Sequence, residues 1–340
     1  MTSVKCWSSL VELVGYILFV LYDYVHSFYR LFVPKPLKSL KSEIILITGS
    51  ASGIGKEVCF HLVEAGAKCL VLWDINKTEN EKLATSLRKM GAAVYAYEVD
   101  VVDKISVSTT AKKVRRDVGK NVTILYNNAG IAHISNFFES QPHQLERTIQ
   151  VNLISHFWTL REFLPSMIAE GRGHVVTSCS VLGMKGVRKA VAYCGSKFAV
   201  RGYIEALESE LRHLPNKPNI KFTTVYPFFV DTPMVDNLKI QYRLGFLFKH
   251  LDLSSVATKI VEGIRQEKHS VVIPWYLQVL IALQNVVTQA SIDRTMDFFV
   301  RNIEYEEKKT TTIDAGSIKS SADLLHPLEN NNGLISFMDN

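Results

Sequence analysis

Residues Glu43 to Ala65 constrain the fold more than any other stretch of this chain. Glu43-Ile44-Ile45-Leu46-Ile47 is apolar and β-branched, as a short buried strand requires. It runs directly into Thr48-Gly49-Ser50-Ala51-Ser52-Gly53-Ile54-Gly55, and a helical pattern follows from Lys56 to Ala65. Strand, glycine-rich turn and helix, in that order, form the context in which such a turn binds a dinucleotide. Gly49 permits the tight turn, Gly53 lets the backbone approach a pyrophosphate, and Gly55 lets the helix pack closely on the strand. The helix start offers unpaired N–H groups and the positive end of a dipole to the phosphates. A flexible surface loop would also contain glycines, but it would not predict the element that comes next.

That element is Cys69-Leu70-Val71-Leu72-Trp73, a second apolar strand ending at Asp74. Asp74 lies nineteen residues beyond Gly55 (55 to 74), near the ~20 expected of an acid that binds the adenosine ribose. A carboxylate there accepts hydrogen bonds from both ribose hydroxyls and repels a 2′-phosphate. An NADP site would place a cation in the turn or just after the acid, where this chain has Ser52 and Ile75. Lys77 is the nearest cation, and NAD is favoured over NADP. Strands are expected at Val94 to Glu98, Val122 to Tyr126, His174 to Thr177 and Ile220 to Tyr226. Helices are expected at Ile105 to Val118, Leu145 to Ile168 and from Tyr193 to about Leu214. This alternation implies parallel βαβ units with right-handed crossovers, an α/β chain with one doubly wound, Rossmann-type sheet. Gly49, Asp74, Asp100, Asn127 and Ser180 then all fall at the carboxyl ends of strands, where such sheets bind ligands.

Chemistry is suggested by Tyr193-Cys194-Gly195-Ser196-Lys197, with Ser180 thirteen positions upstream of Tyr193 (180 to 193). On a helix, residues i and i+4 share a face about 5–6 Å apart. Lys197 is expected to lower the cost of forming the Tyr193 phenolate, which otherwise needs a pH near ~10. A phenol tuned in this way can take a proton from an alcohol as a hydride leaves its carbon. Ser180 can hold the same oxygen. A solvated helix face would carry the same Tyr–Lys spacing, so the motif gains its meaning from the nucleotide half.

Together Thr48-Gly49 with Gly53-Ile54-Gly55, Asp100-Val101, Asn127-Asn128-Ala129-Gly130, Asn152, Ser180, Tyr193 and Lys197 resemble the short-chain dehydrogenase/reductase superfamily over roughly Glu43 to Ile273. The resemblance implies that Tyr193 is the general acid/base, Ser180 the substrate-oxygen anchor, and Lys197 the holder of the nicotinamide ribose. It implies that Asn152 kinks its helix and holds a water that relays protons to Lys197. Asp100 and Val101 would contact adenine, and Asn127 would support the central strand and the ribose. Thr48, Ser52, Ile54, Ala129 and Gly130 would border the cofactor. Thr232, in Val230-Asp231-Thr232, would contact the carboxamide. Two features depart from the pattern or complicate it. Phe228 follows Pro227 where glycine is usual, and Ser178 lies close enough to Ser180 to be confused with it.

Phe32-Val33-Pro34-Lys35-Pro36, Val71 to Lys77, His156-Phe157-Trp158-Thr159, Phe163 to Met167 and Tyr226 to Thr232 are similar to one branch, the epidermal retinol dehydrogenases and lipid-droplet 17β-hydroxysteroid dehydrogenases. That resemblance implies retinol-like or steroid alcohols, and their ketones or aldehydes, as substrates. The alternatives are an NADPH-dependent carbonyl or 3-oxoacyl reductase, or a non-catalytic lipid-droplet scaffold.

The ends of the chain are separate matters. Leu10 to Val33 is long enough to cross ~30 Å of hydrocarbon, although Glu12, Asp23, His26 and Arg30 interrupt it. One oblique span and an interfacial anchor in one leaflet both fit. Arg30, Lys35, Lys38 and Lys41 follow this stretch and only Lys5 precedes it, which puts the catalytic domain on the cytosolic side; the branch resemblance implies the endoplasmic reticulum membrane or a lipid droplet. The sequons at Asn76 and Asn121 do not overturn that orientation. A net charge of +6 suits an anionic lipid surface, and no basic run interleaved with aromatics points to nucleic acid. Cys6, Cys59, Cys69, Cys179 and Cys194 are odd in number and lack C-x-x-C spacing, so neither disulfides nor a metal is expected. The expected organisation is an anchor and basic flank at 1–36, a catalytic domain at 37–303, and a polar, disordered tail at 304–340. Trp275 to Val287 adds an apolar segment suited to lining a substrate tunnel or facing a membrane. The oligomeric state stays open, a homodimer included.

Overall fold

Parallel strands that are apolar on both faces must be covered on both faces by helices, and this sheet is. In the computed structural model, described over residues 2–236, 238–245, 249–284 and 286–305, seven strands form one sheet. They are β1 (Ile44–Thr48), β2 (Cys69–Asp74), β3 (Ala93–Glu98), β4 (Ile124–Asn127), β5 (Arg172–Ser178), β6 (Asn219–Pro227) and β8 (Ser270–Ile273). Their order is β3-β2-β1-β4-β5-β6-β8, with every neighbouring pair parallel. Strand order reverses between β1 and β4, which opens a crevice at the carboxyl edge.

Within β1 the side chains divide strictly by parity. Ile45 and Ile47 join the core beneath α2 (Gly53–Glu64), α3 (Lys77–Lys89) and α8 (Leu253–Arg265). Ile44 and Leu46 join the opposite core under α4 (Lys104–Val118), α6 (Ser155–Ala169) and α7 (Val191–Arg212). Trp73 and Phe163 are fully buried in that second layer, with ring centroids 5.5 Å apart.

Several elements differ from the sequence expectation. The first fold helix begins at Gly53 rather than Lys56, so the last glycines of the turn, Gly53 and Gly55, lie in its opening turn. The long helical stretch is α5 (Pro142–Ile149), a π turn (Gln150–Ile154) and α6 in unbroken succession. Helix α8, strand β8 and an antiparallel pair, β7 (Leu238–Tyr242) with β9 (Val300–Tyr305), had no counterpart in the sequence reading. The tail expected beyond 304 falls mostly outside the described residues.

Helix α1 (Thr2–Phe32) has one stretch, Val11–Arg30, that is long and apolar enough to cross a membrane, with mean hydropathy 1.3 and none of it buried. The chain after it is pinned to the amino edge of the sheet. Lys38 exchanges backbone and side-chain hydrogen bonds with Arg265, and its Nζ lies 3.3 Å from Glu267 and 3.6 Å from Glu43. Leu40 is fully buried beside it. Beyond β8, α9 (Tyr276–Gln284) exposes Val279 and Leu283 and α10 (Gln289–Phe299) exposes Phe298, with Trp275 and Val286 exposed in the flanking turns.

Candidate active site

Loops following β1 to β6 converge on a cleft of about 360 Å³ at the carboxyl edge. Its nucleotide end is built from glycine. Gly49 has a φ of +64°, and a Cβ there would lie 2.8 Å from the Ala129 Cα. A Cβ on Gly55 would lie 2.2 Å from the Gly49 carbonyl oxygen, so the helix can approach the turn only without one. Gly53 has a φ of +52° and faces Thr232, whose Cγ2 would be 3.5 Å from an added Cβ. Thr48 stands behind this wall, its Oγ1 accepting from the backbone N–H of Asn128 (3.0 Å) and Ala129 (3.1 Å). Ser52, Ile54, Ala129 and Gly130 line the cleft.

Asp74, the last residue of β2, is almost fully buried. One carboxylate oxygen accepts from Ala51 N–H and the other from Asn76 N–H, each at 2.8 Å. The acid thus fixes the glycine turn and presents its remaining lone pairs to the cleft. Lys77 is turned towards Glu98, 3.9 Å away, and is largely exposed. Asp100 and Val101 line the same end. Asn127 does not reach it. Its Oδ1 accepts from Thr159 Oγ1 at 2.7 Å behind the strand, and the cleft surface is made by Asn128 to Gly130.

Ser180, Tyr193 and Lys197 meet at the other end. Ser180 follows β5 and caps a single 3₁₀ turn, accepting from Leu182 N–H at 3.1 Å, and its hydroxyl also bonds the Tyr193 phenol. Ser178 is occupied elsewhere, between the Tyr126 hydroxyl (2.8 Å) and Asn128 Oδ1 (3.2 Å). Lys197 is only 4% exposed, and no carboxylate pairs with it among the described residues. Its Nζ donates to the Ser178 carbonyl at 3.0 Å and lies 5.7 Å from the Tyr193 ring centre. Asn152 sits in the π turn, where the altered helix geometry swings its side chain towards Gly130. Its Oδ1 accepts from Ile131 N–H at 2.8 Å, and its Nδ2 donates to Ile131 O and Ser196 Oγ.

The electrostatics correct the sequence expectation for the phenol. Burial raises Tyr193 above its usual range, the Ser180 hydrogen bond pulls it partly back, and neighbouring Cys179 and Cys194 add to the rise. Lys197 does not reverse this. Its ammonium is directed to a carbonyl over the ring face, and burial lowers its own proton affinity. Burial, with the charge of Lys197, also pushes His156 down to about 3. The protein by itself therefore holds the phenol protonated.

Two features escaped the sequence reading. Arg147 of α5 enters the cleft and pairs with Asp100 at 3.1 Å. The loop after β6 is strapped by a second segment, with Leu251 N–H donating to Phe229 O (2.8 Å) and Asp231 N–H to Leu251 O (3.1 Å). His250 bonds the Asp231 carboxylate at 2.9 Å and stacks on Phe229. Phe228, in the place where glycine was expected, donates its N–H to Ile273 O of β8, and the strap brings Val230 and Thr232 to the cleft. An acid–cation pair 47 positions apart and an aromatic strap leave no periodic signal in sequence.

The family described as short chain dehydrogenase matches residues 43–243. The chain is 32% identical to human 17-beta-hydroxysteroid dehydrogenase 13 over 300 residues, covering 87% of this chain and 96% of that protein. It is 36% identical to mouse estradiol 17-beta-dehydrogenase 11 over 265 residues, 78% of this chain and 86% of the relative. Its fold matches the crystal structure of a short chain dehydrogenase/reductase from Burkholderia phymatum in complex with NAD. That match has a TM-score of 0.65 at 24% identity over 73% of this chain and 94% of the other.

Proposed function

The chain belongs to the short chain dehydrogenase family, with its NAD(P)-dependent alcohol dehydrogenases and reductases, and we propose that it interconverts lipophilic alcohols and their carbonyls using NAD. The observation that carries this reading is the convergence of Ser180, Tyr193 and Lys197 on one wall of a cleft whose far end is a glycine cradle closed by Asp74. A bound dinucleotide supplies the hydride acceptor. The chain's own groups do the rest. Ser180 holds the substrate oxygen, Tyr193 exchanges its proton, and Lys197, a buried cation without a carboxylate partner among the described residues, binds ribose hydroxyls. Asp74 supports NAD over NADP, since its carboxylate faces the ribose position while Lys77 leans on Glu98.

The substrate end is apolar. Ile134, Val181, Leu182, Met234, Val235 and Leu238 line it beside Phe228 and Phe229. Relatives named for 17-beta-hydroxysteroids and estradiol support a steroid-like alcohol, and the apolar Val11–Arg30 stretch supports residence at the endoplasmic reticulum membrane or a lipid droplet. In the reverse direction the same Tyr193 phenol donates its proton to the carbonyl oxygen during reduction.

Steroid, retinoid and fatty alcohols and their carbonyls, assayed with NAD(H) and NADP(H), test this reading. Turnover of a lipophilic pair with NAD(H) is expected. Turnover only with NADP(H), or only of small polar alcohols, would overturn it. Deletion of residues 1–33 is expected to release protein from membranes through an alkaline carbonate wash. A full-length protein already soluble would remove the membrane claim.

A further inference from the structure

Among the described residues, three other than glycine have a left-handed backbone: Lys189, Lys217 and Glu267. Lys217 and Glu267 lie in the turns that lead from α7 and α8 to the next strand, where such a residue commonly closes a helix. Lys189, with a φ of +65°, precedes α7 instead, so helix termination does not account for it. Side chains adopt this conformation rarely, and it persists where surrounding contacts enforce it. Two contacts do so here. The Lys189 carbonyl accepts from Ser135 N–H at 2.8 Å, and its Nζ donates to Ile303 O at 2.6 Å. Beside it, Arg188 Nη2 donates to Val300 O at 3.1 Å and to Arg301 O at 2.8 Å.

These bonds join three walls of the substrate end. Ser135 follows Ile134, which lines the cleft from the loop after β4. Ile303 lies in β9 opposite Ile240 of β7, and Leu238 at the start of β7 lines the cleft as well. Lys189 itself belongs to the segment that connects Ser180 to Tyr193. Ile134, Leu182, Leu238 and Ile303 are buried in one apolar cluster. We propose that Lys189 is a positioning residue for the substrate: it fixes the spacing of these walls, and with it the affinity for a lipophilic alcohol. This rests on the alcohol dehydrogenase reading above. An apolar ligand binds more tightly where the walls already stand in place, because ordering loops on binding costs affinity. A lysine that only tied down the last strand would contribute stability and leave substrate affinity unchanged.

The test uses the full chain with NAD and whichever of estradiol or retinol wild type oxidises faster. Lys189→Met removes the Nζ donor and keeps most of the stem. Its KM for that alcohol is expected to rise roughly tenfold, as for loss of a hydrogen bond from a charged group, while kcat and NADH affinity change little. Lys189→Arg keeps a cationic donor and is expected to restore most of the affinity. Lys189→Gly loses the donor but accepts the left-handed backbone without strain. It should match Lys189→Met in KM while the Ser135 amide stays protected from hydrogen exchange, and it carries the same test if the methionine variant does not fold. Thermal melting confirms that each variant is folded. A folded Lys189→Met or Lys189→Gly protein with wild-type KM refutes the positioning role, as does a loss confined to kcat, and either leaves the dehydrogenase reading intact. A wild type that oxidises neither alcohol with NAD overturns that reading, and this inference with it.

Discussion

At the amino edge of the sheet, Lys38 lies 3.5 Å from His174, and at the carboxyl edge Lys197 lowers the proton affinity of His156 through its charge. Both histidines are buried, both are pushed down to about 3 chiefly by burial, and each has a hydroxyl partner, Thr223 at 2.8 Å and Tyr203 at 3.0 Å. The lysines are finished differently. Lys38 is flanked by Glu43 and Glu267, whereas Lys197 has only a carbonyl and an aromatic face as partners among the described residues. One edge is electrostatically complete and holds the fold together. The other is left one anion short, which a scaffold would avoid and a ligand site requires.

The largest expected break in this comparison is Tyr193→Phe. It should lower turnover by ~10²–10⁴-fold, the usual cost of removing a general acid/base, while NADH binding by fluorescence titration changes little. Near-native turnover would refute the assignment of chemistry to the carboxyl edge. Next in size is Asp74→Ala. Steady-state kcat/KM with NAD and NADP should show the preference for NAD falling roughly tenfold or more, since a charged hydrogen-bond acceptor and the repulsion of a 2′-phosphate go together. An unchanged ratio would assign cofactor choice to another residue.

The buried histidines predict an acid response. Their folded pKa values lie below the unfolded value of 6.5, so between 6.5 and about 3 the unfolded chain binds more protons. The stability they confer is present above pH 6.5 and is lost as pH falls towards 3. Melting temperatures of His174→Asn should decline less steeply below pH 6.5 than those of wild type. Equal slopes would show that His174 is not held neutral. The smallest effect is expected from Lys38→Met, about 1 kcal/mol by chemical denaturation, because the pairs it breaks are partly solvated. Activity per folded molecule should be unaffected, and a loss of turnover would undo the division of labour between the edges.

What the sequence made legible follows from the range of the interactions. Gly49, Gly53, Gly55 and Asp74 belong to a local strand–turn–helix unit whose backbone demands are written in neighbouring residues. They fall where expected, with boundaries displaced by a few positions at most. Arg147–Asp100, the β7–β9 pairing and the His250 strap join segments far apart in the chain, using residues that are unremarkable alone. The expected effect of Lys197 on Tyr193 failed for another reason. The i to i+4 spacing fixes proximity on a helix but is silent about burial, and here burial sets the sign.

The pinned segment at Lys38 has a mechanical consequence. Between the end of α1 and that anchorage lie only Val33-Pro34-Lys35-Pro36-Leu37, a run stiffened by two prolines and extending about 15 Å at ~3.1 Å per residue. With α1 in lipid, this is a short, semi-rigid leash. Under the proposed membrane residence, such a leash would allow the domain to swing but not to drift away, and encounters with a lipid-dissolved alcohol would become a search over a surface rather than through a volume. Inserting a flexible glycine–serine stretch at Leu37 would lengthen the leash without touching either edge of the sheet, and should slow turnover of membrane-borne alcohols while leaving that of freely soluble ones unchanged.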